Sequence, residues 1–267
     1  MKNHFIFSYS GNKRDEVKGI YDLLDLKNVE TIIEPCCGTS AFSYYMSTVH
    51  PLKYKYILND LSTQILEIYT MLMNKELCLI LEQELNNIID KFNSFDDENE
   101  RRLYWNNIRQ TRKDNIYQYI FQEKYGAMQG KMHPPFLRRR QISPIILNNI
   151  PIVKFLQTEQ IILTNTTDIE VCKLYKDDPT CLIFLDPPYI NTSNIGYTNY
   201  DMNIYEWLFY NNIRDFKAKV YLILENMWFI KLLFKENHIA KIYDKLYQGS
   251  KKQTQHVIIS NVINSIN

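Results

Sequence analysis

Short apolar runs at Val29–Ile33, Tyr54–Leu58, Ile161–Leu163, Cys181–Leu185 and Lys219–Leu224 alternate with longer amphipathic stretches. That alternation most constrains the fold, because adjacent parallel strands need a helical crossover between them, and it predicts an α/β chain with a mostly parallel sheet. Helices are expected over Asp15–Leu26, Ala41–Val49, Thr63–Phe92 with interruptions, Leu103–Phe121 and Tyr205–Phe216. Two further strands, Ile239–Tyr243 and His256–Val262, are joined by KLYQGSKKQT, which is too short and polar for a crossover helix. They are expected to form a C-terminal antiparallel hairpin. Residues 74–149 fit neither the alternation nor the strand spacing, so one domain of residues 1–73 and 150–267 is expected to carry a mainly helical insertion over 74–149.

At 267 residues the chain is long enough for a large core plus an inserted lobe. No stretch approaches the roughly 18–20 consecutive apolar residues of a membrane span. Residues Met1–Ser10 lack the hydrophobic segment of a secretory leader, which predicts an intracellular protein without a membrane partner. The five cysteines are odd in number and have no two-residue spacing of the metal or redox kind, so buried reduced thiols and no metal are expected.

The net charge of +1 hides a segregation. Residues 76–100 hold eight acidic side chains against Lys91 alone. Residues 101–140 invert this with ten basic side chains against Asp114 and Glu123, interleaved with Tyr104, Trp105, Tyr117, Tyr119 and Phe121. Basic charge mixed with aromatics suits phosphate contact and base stacking. Arg109, Arg112, Lys113, Lys131 and the run Arg138–Arg139–Arg140 are the candidates for double-stranded DNA contact, the run being held extended by the prolines of HPPF before it. A pair of solvated helix faces that neutralise each other is the alternative.

Chemistry-bearing residues gather where the runs end. TIIEPCCGTSAF (31–42) reads as a strand, an acidic residue, a proline, and then a glycine and hydroxyl residues opening a helix. Gly38 allows a positive φ and a close ligand, and Thr39 or Ser40 can cap the helix. It lacks the G-x-G-x-x-G of pyrophosphate binders. YILNDLS puts Asp60 at a neighbouring strand end, where carboxylates accept from ribose hydroxyls, and TNTTDIE offers Asp168, so an adenosine ligand is favoured. CLIFLDPPYINTSNIGY (181–197) ends a buried strand in Asp186, Pro187, Pro188 and Tyr189. The prolines hold the loop extended with its carbonyls outward. Asp186 and the Pro187 carbonyl can each accept one hydrogen of an exocyclic amine, while Tyr189 offers a ring to a planar base, with Tyr197 as a second ring on the loop that follows.

These residues resemble the adenine-specific DNA methyltransferases that use S-adenosylmethionine. DPPY is accompanied by YSGNK (9–13), similar to the family's amino-terminal cofactor motif, and by EPCCGTSAF, ND (59–60), TTD (166–168) and HVIISN (256–261). The order, with cofactor motifs ahead of a recognition insert and the catalytic motif after it, resembles the Dam-like group. The resemblance implies a Rossmann-like S-adenosylmethionine-dependent methyltransferase fold with an inserted recognition lobe. It implies cofactor contacts by Tyr9, Lys13, Glu34, Pro35, Gly38, Asp60, Asp168, Ile169 and Asp186, and methylation of adenine N6 after base flipping into the DPPY pocket. A cognate restriction endonuclease is a candidate partner.

Two departures stand in the sequence. CCGTS replaces the family's Phe-x-Gly-x-Gly, and the insert has GAMQGKMHPPFLRRR in place of the Arg-x-Asn and Phe-Asn-x-Pro signatures. A methyltransferase acting on RNA or protein, or a silent DNA-binding module keeping the fold, are the other readings.

Overall fold

One sheet holds all seven strands of the computed structural model, which describes residues 4–7, 13–126, 136, 141–189, 204, 206–207, 211–234, 239–247 and 252–262. In chain order the elements are α1 (Val17–Tyr21), β1 (Thr31–Glu34), α2 (Ala41–Val49), β2 (Lys55–Asn59), α3 (Thr63–Met73), α4 (Lys75–Asn93), α5 (Glu98–Thr111), α6 (Ile116–Tyr125) and α7 (Pro151–Thr158). They continue with β3 (Gln160–Thr164), α8 (Asp168–Tyr175), β4 (Cys181–Leu185), β5 (Lys219–Glu225), α9 (Trp228–Leu233), β6 (Ile239–Tyr247) and β7 (Lys252–Ser260). No helix among the described residues is long and apolar enough to cross a membrane. The contacts divide the chain into one unit of residues 13–62 and 159–267 and another of residues 1–12 and 63–158.

The first unit is the sheet, in the order β3-β2-β1-β4-β5-β7-β6. Strands β1 to β5 run parallel, and β7 is antiparallel to both β5 and β6, as expected for the hairpin. All five residues of β4 are buried, which is why its sequence is a continuous apolar run. On one of its faces Phe42 of α2 stacks on Phe184, with centroids 3.9 Å apart and planes 3° from parallel. The strand order reverses between β1 and β4, the place where parallel sheets open a crevice at their carboxyl ends. The loops that follow β1, β2, β3 and β4 all start at that edge.

Helix α1 is shorter than the expected Asp15–Leu26. The chain leaves the helix because β5 captures it: the Asp25 N–H donates to the Tyr221 hydroxyl at 2.7 Å, and Lys219 pairs with the Asp25 carboxylate at 2.9 Å. Helix α8 lies where the sequence reading expected no helix. Its signal is T-x-x-E, a capping box in which Thr167 accepts from the Glu170 N–H and Glu170 from the Thr167 N–H.

The second unit is helical. The expected Leu103–Phe121 helix is two, α5 and α6, broken at Asn115, whose side chain accepts from the Gln118 N–H and starts α6. Asn74 starts α4 likewise, accepting from Glu76 and Leu77. Helices α3 and α7, which flank residues 74–149 in sequence, group with this unit. Trp105 lies fully buried against Phe121, with Phe92 also on Phe121. Along α4, Asn86 and Asn93 each exchange two hydrogen bonds with the backbone of Ile145 and Ile142, and Glu82 accepts from the Leu147 N–H at 2.6 Å. Part of the acidic and amide content of α4 therefore serves to hold the segment at 141–147.

Candidate active site

Within the sheet unit, the loop after β1 curls tightly, with Gly38 at φ 48° and Ser40 at φ 51°, both in the left-handed region. The expected freedom at Gly38 is thus used. Ser40 occupies the N-cap position of α2 without a capping bond from its side chain. The Asp60 carboxylate closes the curl from the end of β2, accepting from the Gly38 N–H on one oxygen and from the Ser62 N–H on the other, each at 2.9 Å. Burial pushes the Asp60 carboxyl up, and these two N–H groups oppose it. Each oxygen keeps a further lone pair for another donor.

Asn59, fully buried, staples three loops. Its amide donates to the Pro35 and Thr166 carbonyls, and its oxygen accepts from Thr164 Oγ1 and the Thr166 N–H. Asp168 stands buried at the start of α8, accepting from the Ile169 N–H at 2.9 Å and from Cys36 Sγ at 3.6 Å. Glu34, at the end of β1, accepts from the Ser43 N–H at 2.6 Å. Burial pushes its carboxyl up to about 8, against the Ser43 bonds and with help from the nearby charges of Asp186 and Asp60.

At the end of β4 the Lys13 ammonium donates to Asp186 Oδ2 at 2.5 Å, and the Tyr189 hydroxyl donates to Oδ1 at 3.2 Å. Burial pushes the Asp186 carboxyl up while the Lys13 charge pulls it down. Lys13 also lies 5.3 Å from the centroid of the Tyr189 ring. That ring is 6 % exposed and meets His256 edge-on at 5.0 Å. The Tyr189 hydroxyl is thus engaged by Asp186, where the sequence reading singled out only the ring.

A carboxylate steadied by one cation and one phenol, two strand ends from a buried carboxylate inside a left-handed curl, forms the carboxyl edge of a sheet that switches direction there. A family model for the D12 class N6 adenine-specific DNA methyltransferase matches residues 9–248. The chain belongs to this family. No curated protein matches the sequence. Among solved structures, the rRNA methyltransferase aviRa from Streptomyces viridochromogenes is similar at 10% identity and a TM-score of 0.42, covering 96% of this chain and 89% of that one. The N-terminal domain of human METTL16, solved in complex with SAH, is similar at 7% identity and 0.36, covering 93% and 68%.

In the helical unit of this methyltransferase the basic residues do not share one fate. Arg112 departs from its expected place on a DNA-facing surface: its side chain is 6 % exposed, donates to Glu123 Oε1 at 2.7 Å and lies over the Tyr119 ring. With its fork committed to a buried carboxylate, it organises the turn between α5 and α6. Arg101, also buried, donates to the Phe95 and Asp96 carbonyls. Lys113 is exposed and Arg109 half-buried. Tyr9, Lys131, Arg138, Arg139, Arg140 and Tyr197 lie outside the described residues.

Sequence reasoning missed Glu16, Tyr243 and Lys245, and quoted His256 only as the start of a strand. Glu16 Oε2 accepts from the Tyr243 hydroxyl at 2.6 Å and lies 3.2 Å from His256 Nδ1, while Oε1 accepts from Lys245 at 2.5 Å. Burial would raise the Glu16 carboxyl, but the His256 bond, the Lys13 charge and the Lys245 and Tyr243 bonds hold it down to about 2.

Glu34 gives the methyltransferase a specific pH dependence. A carboxyl whose folded value lies near 8 against an ordinary 4.5 contributes stability that is complete below 4.5 and lost as the pH rises through 8. Glu34→Gln keeps a carbonyl acceptor for Ser43 and has no proton to lose. Melting curves from pH 4.5 to 9 are expected to converge at the acid end and to show the variant several degrees more stable at the alkaline end. Parallel curves would place the titration elsewhere.

Proposed function

We propose that the chain transfers the methyl group of S-adenosylmethionine to the N6 amine of an adenine in double-stranded DNA, the base having rotated out of the duplex into the pocket of Asp186, Pro187, Pro188 and Tyr189. The observation that carries this reading is the Asp186 carboxylate at the end of β4, held by Lys13 and Tyr189. The order of its motifs, similar to that of the Dam-like group, supports this reading.

The residues at the switch point fit the cofactor. Asp60 offers acceptor oxygens to the ribose hydroxyls, the curl from Pro35 to Ser40 lets a ligand approach backbone, and the Asp168 carboxylate, oriented by the Ile169 N–H, offers an acceptor to an adenine edge. When bound, S-adenosylmethionine supplies an electrophilic methyl on a positively charged sulfur, and Asp60 and Asp186 are carboxyls suited to a cation.

Asp186 and the Pro187 carbonyl each take one hydrogen of the target amine, which draws its lone pair out of ring conjugation and towards the methyl. That lone pair would form the bond to the methyl carbon as the methyl–sulfur bond breaks and its electron pair stays on the sulfur, leaving a neutral thioether, and Asp186 is the acceptor within reach of the proton that the amine would then shed. The Lys13 ammonium holds the carboxylate in place so that its orientation is set before the base arrives. Flipping costs a few kcal/mol, which contact with the Tyr189 ring helps to offset.

The helical unit carries target recognition in this reading. Lys113 and Arg109 among the described residues, and Lys131 and Arg138–Arg140 outside them, are the phosphate and base contacts. Asp60→Ala is expected to weaken S-adenosylmethionine by about 1–3 kcal/mol in calorimetry, the worth of a lost bond that leaves its partner unpaired. Unchanged affinity would move the ribose site. The substrate class is tested by offering labelled S-adenosylmethionine with duplex DNA, RNA and protein in turn: incorporation into duplex DNA alone is expected, and incorporation into RNA or protein in its place would overturn the reading.

A further inference from the structure

Behind the DPPY loop, buried polar groups close a ring that the methyl-transfer chemistry above does not use. His256 on β7 is 1 % exposed and pairs in register with Glu225 of β5 and Tyr243 of β6. Its ring meets Tyr189 edge-on at 5.0 Å and Tyr243 at 5.5 Å, and its Nδ1 lies 3.2 Å from Glu16. Glu16 in turn belongs to the turn that presents Lys13: the Glu16 and Val17 N–H groups both donate to the Lys13 carbonyl at 2.9 Å. From Lys13 the ring returns through Asp186 to the Tyr189 hydroxyl.

Burying an imidazole, a carboxylate and ammonium groups costs free energy that apolar side chains of the same volume would not, so the arrangement is a poor way to gain stability alone. It is a good way to fix direction. The His256 ring sets the tilt of Tyr189 from below, and the Glu16 carboxylate ties that ring to the turn from which Lys13 reaches Asp186. The acceptors on Glu16 are filled by Tyr243 and Lys245, so it has one orientation available.

We infer that His256 and Glu16 are positioning residues for methyl transfer: they hold the Tyr189 ring and the Lys13–Asp186 pair in register, and neither touches cofactor or base. This rests on the reading of the DPPY loop as the site of the reaction. Three variants separate the parts. His256→Phe keeps a ring under Tyr189 and loses the Glu16 bond, His256→Gln keeps a donor for Glu16 and loses the ring, and Glu16→Gln neutralises the carboxylate.

Each is expected to lower kcat by about 10- to 100-fold while KM for DNA and S-adenosylmethionine affinity stay within about 3-fold, the mark of orientation lost without binding lost. In a Tyr189→Ala background His256→Gln, which spares the Glu16 bond, is expected to have little further effect, since the ring it positions is gone. Variants that stay folded with wild-type kcat, or a His256→Gln that acts additively with Tyr189→Ala, would overturn the inference.

An inactive wild-type protein would refute the methyl-transfer reading. The positioning claim is then still decided by NMR of ring-labelled tyrosine: His256→Gln and Glu16→Gln are expected to shift the Tyr189 ring resonances, and unchanged resonances would refute it.

Discussion

Asp186→Asn lowers kcat for methyl transfer by about 10²–10³-fold or more, the scale lost when a group aimed at the reacting centre is removed, while S-adenosylmethionine affinity stays within a few-fold. Asparagine keeps the volume and a carbonyl acceptor for the Tyr189 hydroxyl, but its amide turns a donor towards Lys13 or towards the incoming amine. Either outcome removes the charge that holds the Lys13 ammonium at 2.5 Å and spoils one of the two acceptors for the target nitrogen. Asp186→Ala does the same without the new donor. Single-turnover incorporation of labelled methyl measures the loss, and calorimetry reads the retained affinity. Substantial residual turnover would remove Asp186 from its assigned role.

Arg112→Ala destabilises the helical unit by about 3–5 kcal/mol, because it leaves Glu123 as an uncompensated buried charge. The two side chains are 6 % and 3 % exposed, so water cannot take over from the guanidinium. The substitution also frees Gln122, whose amide donates to the Trp105 carbonyl at the centre of the aromatic cluster. Replacing both partners, as Arg112→Met with Glu123→Leu, recovers most of the loss, since apolar groups of similar volume carry no desolvation penalty. Urea unfolding measures both. A phosphate contact would behave differently: stability would hold, and the slope of log affinity for DNA against log salt would fall by about 0.9.

How far the sequence could be read depended on whether the deciding partner was near in sequence. Cys181–Leu185 was legible to the residue because five consecutive apolar side chains suit a strand covered on both faces. Asp186 and Tyr189 followed from its end. Asp60 was legible in a similar way, just past the buried apolar run Tyr56–Leu58 of β2. The end of α1 was not, because Asp25 is captured by Tyr221, 196 positions away. Helix α8 was not expected because its segment is short and opens on threonines and an asparagine, although one of those threonines caps the helix.

Charge counting could not tell an exposed guanidinium from a buried one. Arg112 meets Glu123 across a turn between two helices, and the sequence reading took those helices as one. The group behind Tyr189 was out of reach for the same physical reason, with Glu16 and His256 240 positions apart and brought together by the pairing of β7 against β5 and β6.

The account turns on which atom receives the methyl. Duplex DNA incubated with the protein and S-adenosylmethionine carrying a heavy-isotope methyl, then digested to nucleosides and resolved by mass spectrometry, identifies that atom directly. The label is expected in N6-methyldeoxyadenosine, and to disappear with Asp186→Asn. Label on cytosine, or none on DNA from a folded protein that binds S-adenosylmethionine, would contradict the assignment of the Asp186–Tyr189 loop as an adenine N6 methylation site.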